Sequence, residues 1–426
     1  MRGVLAGSLL LLTSCTEVAE VLRVGAGGSA SQGGASLGGT AASESGAGGS
    51  HAAGSSGGGT GAAAGAAGHT ATPDPTLADS LSAGQVHVCL ARAGLVYCWG
   101  DNADGQLGTG DKTRQLVPVV VPGSEGVVQV AAGGQHTCFL TRDGVVSCFG
   151  NNALGQLGHV TPAEQLSPAV VALPARATRI DAAYGHTCAV LETRELYCWG
   201  ENVETQLGQG DAPDENRPDP VPVTLPEPVL GVACGQGHTL AFTATAVYAW
   251  GRNTAGECGL GEGQPTRVRA PTAVPLSGVL SLDAGQDSAC AVMQGGALQC
   301  WGASTDQHLG NASDATLWSP QAVAPGSTWT QVALDAFHTC SIDSEQQLYC
   351  WGRSIEGQLG LGNNDRLTPP PTLVPGGPWR TISAGRFFTC AISADARIWC
   401  AGANAEGELG VGDTDRRNVF TEVTLP

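Results

Sequence analysis

Histidine and cysteine recur together along this chain, and that pairing is where chemistry would be sought first. His136-Thr137-Cys138, His186-Thr187-Cys188 and His338-Thr339-Cys340 share one triplet, His87 stands two residues before Cys89, and His238 takes the same place before Leu240. Imidazole and thiolate together are zinc ligands. The spacing argues otherwise: the cysteines form no CxxC-type cluster, and Ser288 and Phe388 occupy the histidine position in two further copies. One imidazole per copy also keeps the rings apart, so the histidines are expected to hydrogen-bond structurally, with no metal and no cofactor. Twelve cysteines fall in pairs instead: Cys89 with Cys98, Cys138 with Cys148, Cys188 with Cys198, Cys290 with Cys300, Cys340 with Cys350 and Cys390 with Cys400. Regular pairing of this kind predicts disulfides and an oxidising compartment.

Other chemistry is weaker. Asp101-Asn102-Ala103-Asp104-Gly105 hints at a calcium loop, but Ala103 and Lys112 stand where an EF-hand wants oxygen ligands, and Asn and Gly supply turn chemistry more simply. Gly34-Ala35-Ser36-Leu37-Gly38 spells GxSxG without the strand and helix that a nucleophile elbow needs. No HExxH, P-loop or dinucleotide fingerprint is present, and no catalytic residue is assigned.

The elements that must position these residues repeat at a fixed period. A Gly following an aromatic or aligned residue falls after positions 99, 149, 199, 250, 301, 351 and 401, at intervals of 50 or 51 residues. Such a period means repeated supersecondary units packed on one another. In each copy HTCFLT and GVVSCFG alternate with period two, as half-buried strands do. Arg142-Asp143-Gly144 between them suits a three-residue hairpin loop, which places Cys138 opposite Cys148. Ala93-Gly94 suits a two-residue turn and again sets Cys89 opposite Cys98. A polar loop ending in GQLG follows, with Leu107, Leu157, Leu207, Leu309, Leu359 and Leu409 as core plugs, then a proline-bounded edge strand such as VPVVVP. Four short strands per copy predict an all-β, seven-bladed β-propeller, closed by pairing of its N- and C-terminal segments.

Composition agrees. Glycine numbers 63, aromatics are 5% and charged residues 14%, which suits short strands and tight turns. The net charge of -18, with Lys112 the one lysine, makes nucleic acid an unlike partner. At the N-terminus an apolar run from Val4 to Leu12 is too short to span a bilayer, which takes about 20 residues, and fits an export signal. Leu12-Thr13-Ser14-Cys15 resembles the lipobox of bacterial lipoproteins, whose cysteine becomes lipidated. The domain reading is a lipoprotein signal peptide at 1–14, a lipidated Cys15 with a Gly/Ala/Ser-rich flexible linker at 15–78, and the propeller at 79–426.

The recurring AAGxxHTC and CWGxNxxGQLG motifs at fifty-residue spacing resemble the regulator of chromosome condensation (RCC1-type) repeat family, across about 350 residues. The resemblance implies a seven-bladed propeller. The eukaryotic founder exchanges nucleotide on a small GTPase and binds chromatin, roles that sit badly with an export signal, acidic charge and paired cysteines. The fourth copy departs from the pattern, with Leu240 and Ala249 at its cysteine positions and Cys234 and Cys258 elsewhere, read as two free thiols. Acids crowd the loops after each Trp-Gly. Asp101, Asp104, Asp211, Asp214, Glu215, Glu356 and Glu406 form a candidate rim for a basic protein partner. The expectation is a monomeric, non-enzymatic binding or scaffold module, exported and lipid-anchored at the bacterial cell envelope, touching the membrane only through its anchor. The alternatives are a secreted protein inhibitor of an extracellular enzyme, resembling propeller-type β-lactamase inhibitors, and a propeller lyase.

Overall fold

The computed structural model describes residues 79–323 and 325–426. The expected signal peptide, lipidated Cys15 and linker lie outside the described residues. Among the described residues, twenty-eight strands form seven four-stranded antiparallel sheets, each built from four consecutive strands. In the first blade, Ser80–Ala83 is innermost, followed by His87–Arg92, Leu95–Gly100 and the outermost Gln115–Val120. Six further blades repeat this order, the last running from Trp379–Ala384 to Arg417–Val423.

The hairpins take the register that their turns dictate. Thr141 N–H donates to Val145 O at 2.9 Å across the three-residue loop, Leu140 faces Val146 and Cys138 faces Cys148. In the first blade Arg92 faces Leu95 across Ala93 (φ 51°) and Gly94 (φ 80°), both left-handed as a type I′ turn requires. All six expected cysteine pairs are joined, with Cα atoms 4.1–4.2 Å apart. Cys89 bonds to Cys98, Cys138 to Cys148 and Cys188 to Cys198 in the first three blades. In the last three, Cys290 bonds to Cys300, Cys340 to Cys350 and Cys390 to Cys400. Each of these pairs is directly opposed in the ladder between the second and third strands of its blade. Cys234 and Cys258 are buried and free.

One expectation changes. The second and third strands read as half-buried, yet His136–Thr141 is buried at every position but the last. These strands sit between neighbouring sheets, so both faces are covered, and the polar alternation serves contacts between blades rather than solvent. Trp99, Trp199, Trp250 and Trp301 are wholly buried, and each indole N–H donates to a backbone carbonyl of the preceding blade at 2.8–3.0 Å. The Gly after each tryptophan is obligatory. At Gly100 (φ 102°) a Cβ would stand 2.6 Å from Val86 O.

The pairing of the chain ends takes the form of blade docked on blade rather than a shared sheet, since the first and last strands belong to different sheets. Ala83 N–H donates to Ser383 Oγ (2.9 Å), Trp99 Nε1 to Glu408 O (2.8 Å) and Arg114 Nη1 to Ala405 O (2.9 Å). Asp79 pairs with both Arg92 and Arg380, joining the first blade to the seventh.

Candidate functional site

The recurrent histidines are tied into the joints between blades. His87 Nε2 lies 2.8 Å from Thr137 Oγ1 of the next blade, and that hydroxyl donates to Gln106 O at 2.8 Å. The hydroxyl proton is therefore committed, so the imidazole must be the donor and carries its proton on Nε2. The relay recurs as His136–Thr187–Gln156, His186–Thr239–Gln206 and His338–Thr389–Gln358. Burial holds these rings neutral: His87 and His186 are lowered to about 4, and His136 and His338 to about 3. In the fifth blade Ser288 replaces the histidine, and His308 reaches it from the loop. Its Nδ1–H donates to Thr305 O at 2.7 Å, so Nε2 accepts from Ser288 Oγ at 2.9 Å. At the seventh-to-first joint Phe388 and Val88 replace both partners with apolar groups. Only His238 is left stranded, because Ala289 stands where a threonine should, and both of its ring nitrogens are buried without a partner.

His186, Cys188 and Cys234 bring ligand atoms within 4.8 Å of one another. Cys188 is bonded to Cys198, and His186 Nε2–H is directed at Thr239, so as it stands this trio offers two donors, the Cys234 thiol and His186 Nδ1. Burial and the neighbouring Asp181 raise the Cys234 thiol well above its ordinary value, and burial raises Cys258 likewise. Neither is a reactive thiolate.

The inner strands line an axial cavity of about 130 Å³. Their edges face the axis without a fifth strand, and side chains of the adjacent blade satisfy part of that edge. Ser82 Oγ accepts from Ala132 N–H (2.9 Å), Asp181 from Cys234 N–H (2.7 Å) and Asp283 from Leu334 N–H (2.8 Å). Burial raises Asp181 to about 7 and Asp283 to about 6, and raises Asp335, which also feels Asp283, to about 7. Carboxyls near neutrality are what a general acid needs, but Asp181 and Asp283 each give an oxygen to the latch between blades.

The cavity opens on the face that carries the turns after the inner strands and the Gly-rich loops after each tryptophan, since His87 pairs with Gly100 at that end of the sheet. The candidate rim acids lie in these loops and differ in what holds them. Asp101 accepts from Ala103 N–H and Gln106 Nε2, and Asp104 accepts from Asn151 Nδ2. Asp214 is paired with Arg269 (2.7 Å), Glu356 with Arg416 (3.4 Å) and Glu406 with Arg114 (3.2 Å). Asp211 and Glu215 are exposed in the long loop of the third blade. Around the cavity mouth stand residues outside the recurring motifs: Tyr184, 43% exposed, and a stacked pair, Phe337 and Phe387, with centroids 5.4 Å apart and planes at 6°. Arg353 lies over Phe337 at 4.9 Å, and Arg386 over Phe387 at 5.2 Å. The signal of the two phenylalanines was present at the position just before each histidine or its replacement, where the other copies carry Val86, Gln135, Gly185, Gly237 and Asp287.

Comparison with known proteins agrees with this architecture. The regulator of chromosome condensation (RCC1) repeat matches residues 93–140, 143–190, 195–242, 246–292 and 345–392, and a second form of the repeat matches 127–156, 178–206 and 379–408. The chain is similar to the E3 ubiquitin-protein ligase HERC2 of Mus musculus, 28% identical over 302 residues, which is 65% of this chain but 5% of that protein. It is also similar to the mitochondrial RCC1 domain-containing protein RUG3 of Arabidopsis thaliana, 30% identical over 28% of each chain. The fold resembles human WBSCR16 (TM-score 0.72, 24% identity, covering 79% of this chain and 95% of that one). It also resembles yeast RCC1 (Prp20) in its complex with Kap60 (TM-score 0.71, 20% identity, covering 82% and 85%). With repeat matches over more than half of its length and a seven-bladed ring, this chain belongs to the regulator of chromosome condensation (RCC1) repeat family.

Proposed function

We propose that this protein is a non-enzymatic, surface-anchored binding module that presents a rigid propeller to a protein partner. Lipidation at Cys15 would anchor it to the bacterial cell envelope, and the Gly/Ala/Ser-rich stretch before residue 79 would carry the propeller away from the membrane. One observation carries the reading: the residues that recur between copies are bound into the scaffold, and those that differ gather on the loop face. The tryptophans of the Trp-Gly motif, the GQLG leucines and the relay histidines are buried. Tyr184, the Phe337–Phe387 stack and the exposed acid Glu215 depart from the common motif and lie around the cavity mouth or in the loops beyond it, where Asp211, which shares its place with Asp111 and Asp413, is also exposed. Aromatic residues and arginine are the side chains most often found at the energetic centre of protein interfaces.

Partners of related propellers offer precedent but no identity: Kap60 is bound to yeast RCC1, and Prp20p has been studied for binding to Gsp1p and histones. The unpaired acids suit a basic surface on the partner, steered by the overall negative charge. A photo-crosslinker placed at Tyr184 and at Asp211 in cells making the full chain tests this. Discrete cross-linked products from these positions, and none from hairpin position Asp143 on the opposite face, are expected. A single stoichiometric enzyme among the products would favour the inhibitor alternative, and turnover of a small molecule by the purified chain would refute the binding reading.

A further inference from the structure

The fourth and sixth blades carry arginine at the same place, just after Trp-Gly, and the two are treated differently. Arg252 is fully engaged: Nε donates to Glu257 at 2.9 Å, while its Nη2 donates to Gln286 O at 2.7 Å and pairs with Asp287. In the sixth blade the corresponding partners have been exchanged. Gln358 stands where Glu257 stands, Arg386 where Gln286 stands, and Phe387 where Asp287 stands. Arg353 has thus lost both carboxylates and gained a second guanidinium nearby.

The exchange shows in the hydrogen bonds. Arg353 Nε and Gln358 Nε2 are both buried donors without an acceptor. Among the described residues neither Arg353 nor Arg386 has a carboxylate within ion-pair distance, although Asp335 feels Arg386 at longer range. In a chain with 38 acidic and 20 basic side chains, these two guanidiniums meet one aromatic stack with no carboxylate paired to either. Both lie against the half-buried Phe337–Phe387 stack, whose faces hold the planar groups in place. Arg386 also lines the axial cavity, so the group opens on the loop face.

We propose that Arg353, Arg386 and Gln358, backed by the Phe337–Phe387 stack, form a carboxylate-binding site that takes an aspartate or glutamate side chain from an acidic peptide segment of the partner. The fourth blade is the template: Glu257 and Asp287 show in cis what the sixth blade would receive in trans. A carboxylate accepts from a guanidinium fork and from an amide N–H together, which matches the donors left open. The assignment rests on the loop face being protein-binding, and it makes that face bipolar, with unpaired acids in the third blade and cations in the sixth and seventh.

Fluorescence anisotropy of the full chain with labelled hexaglutamate and hexalysine, at low ionic strength, tests it. Hexaglutamate binds the native chain despite the net negative charge. Arg353→Gln/Arg386→Gln weakens it by about tenfold or more, with hexalysine changed by less than about twofold. Phe387→Asp is the stronger test, because it keeps both arginines and restores the carboxylate that Asp287 provides in the fifth blade. It too must weaken hexaglutamate by about tenfold, with circular dichroism unchanged. No binding of hexaglutamate to the native chain, or equal binding by Phe387→Asp, overturns the site. Displacement of the peptide by inorganic phosphate more effectively than by glutarate overturns the carboxylate assignment. Hexaglutamate binding retained while hexalysine binding is absent supports this site and removes only the acidic-rim reading.

Discussion

Replacing Ala289 with threonine should stabilise this protein, although it adds two heavy atoms to a wholly buried position. At four sister joints a threonine in this place receives Nε2–H from the preceding blade's histidine at 2.7–2.9 Å. It passes its own proton to a loop carbonyl at 2.8–3.0 Å. At the fourth-to-fifth joint the histidine is present and the threonine is not, leaving both nitrogens of His238 buried without partners. The equivalent carbonyl, Glu257 O, already accepts from Trp301 Nε1 at 2.9 Å. That is no obstacle, because Gln156 O and Gln206 O each accept from both a threonine and a tryptophan. Restoring one hydrogen bond contributes about 1 kcal/mol, and relieving an unsatisfied buried donor adds about 1–3 kcal/mol. Overpacking by the new methyl could offset about 1–3 kcal/mol, but the sister sites hold threonine at zero exposure, which argues for room. The net expectation is a gain of about 1–2 kcal/mol in urea unfolding with disulfides intact. Thr137→Ala, which strands His87 in the same way, should cost about 1–3 kcal/mol. A loss of more than about 1 kcal/mol for Ala289→Thr, or no loss for Thr137→Ala, would refute the relay as an energetic joint.

Further outcomes can be stated briefly. Five histidines are lowered from 6.5 to about 3–4, so each stabilises the fold fully above pH 6.5 and loses that contribution as pH falls. Asp181, Asp283 and Asp335 are raised from 3.8 to about 6–7, so theirs is full below 3.8 and is lost as pH rises. The histidines prevail by about two protons, so stability should climb by roughly 2–3 kcal/mol per pH unit between about pH 4.5 and 6, then level off. A flat or falling profile in that range, measured by chemical unfolding, would contradict the burial argument. Without reductant, intact-mass analysis after alkylation in denaturant should leave twelve cysteines blocked. Removing one bridge, as in Cys138→Ala/Cys148→Ala, should cost about 2–3 kcal/mol for its short loop. Cys15→Ala should move the protein from the membrane to the soluble fraction, and unchanged membrane association would refute lipidation.

Much of the scaffold was legible because the information lay within one repeat. Alternation, loop length and turn residues set the register of Cys138 against Cys148, and the same logic covered the shorter turn at Ala93-Gly94. The contacts between blades were not legible. His87 and Thr137 are fifty residues apart, and nothing local says that one blade's imidazole meets the next blade's hydroxyl. The half-buried reading of the middle strands failed for the same reason, since only the stacking of sheets covers their polar faces. The acids of the rim were visible as composition, but not their fates: Asp214, Glu356 and Glu406 are neutralised by arginines of neighbouring blades, leaving Asp211 and Glu215 open. The open donors at Arg353 emerge only when the sixth blade is laid against the fourth. A motif search finds what recurs, whereas a binding face is built from what does not.

The central claim is that the loop face around the axial mouth contacts a protein. Site-specific photo-crosslinking from Tyr184 and Asp211, set against Asp143 on the opposite face, measures that most directly. Discrete protein products from the first two positions and none from the third are predicted. Products from Asp143 alone would contradict the account.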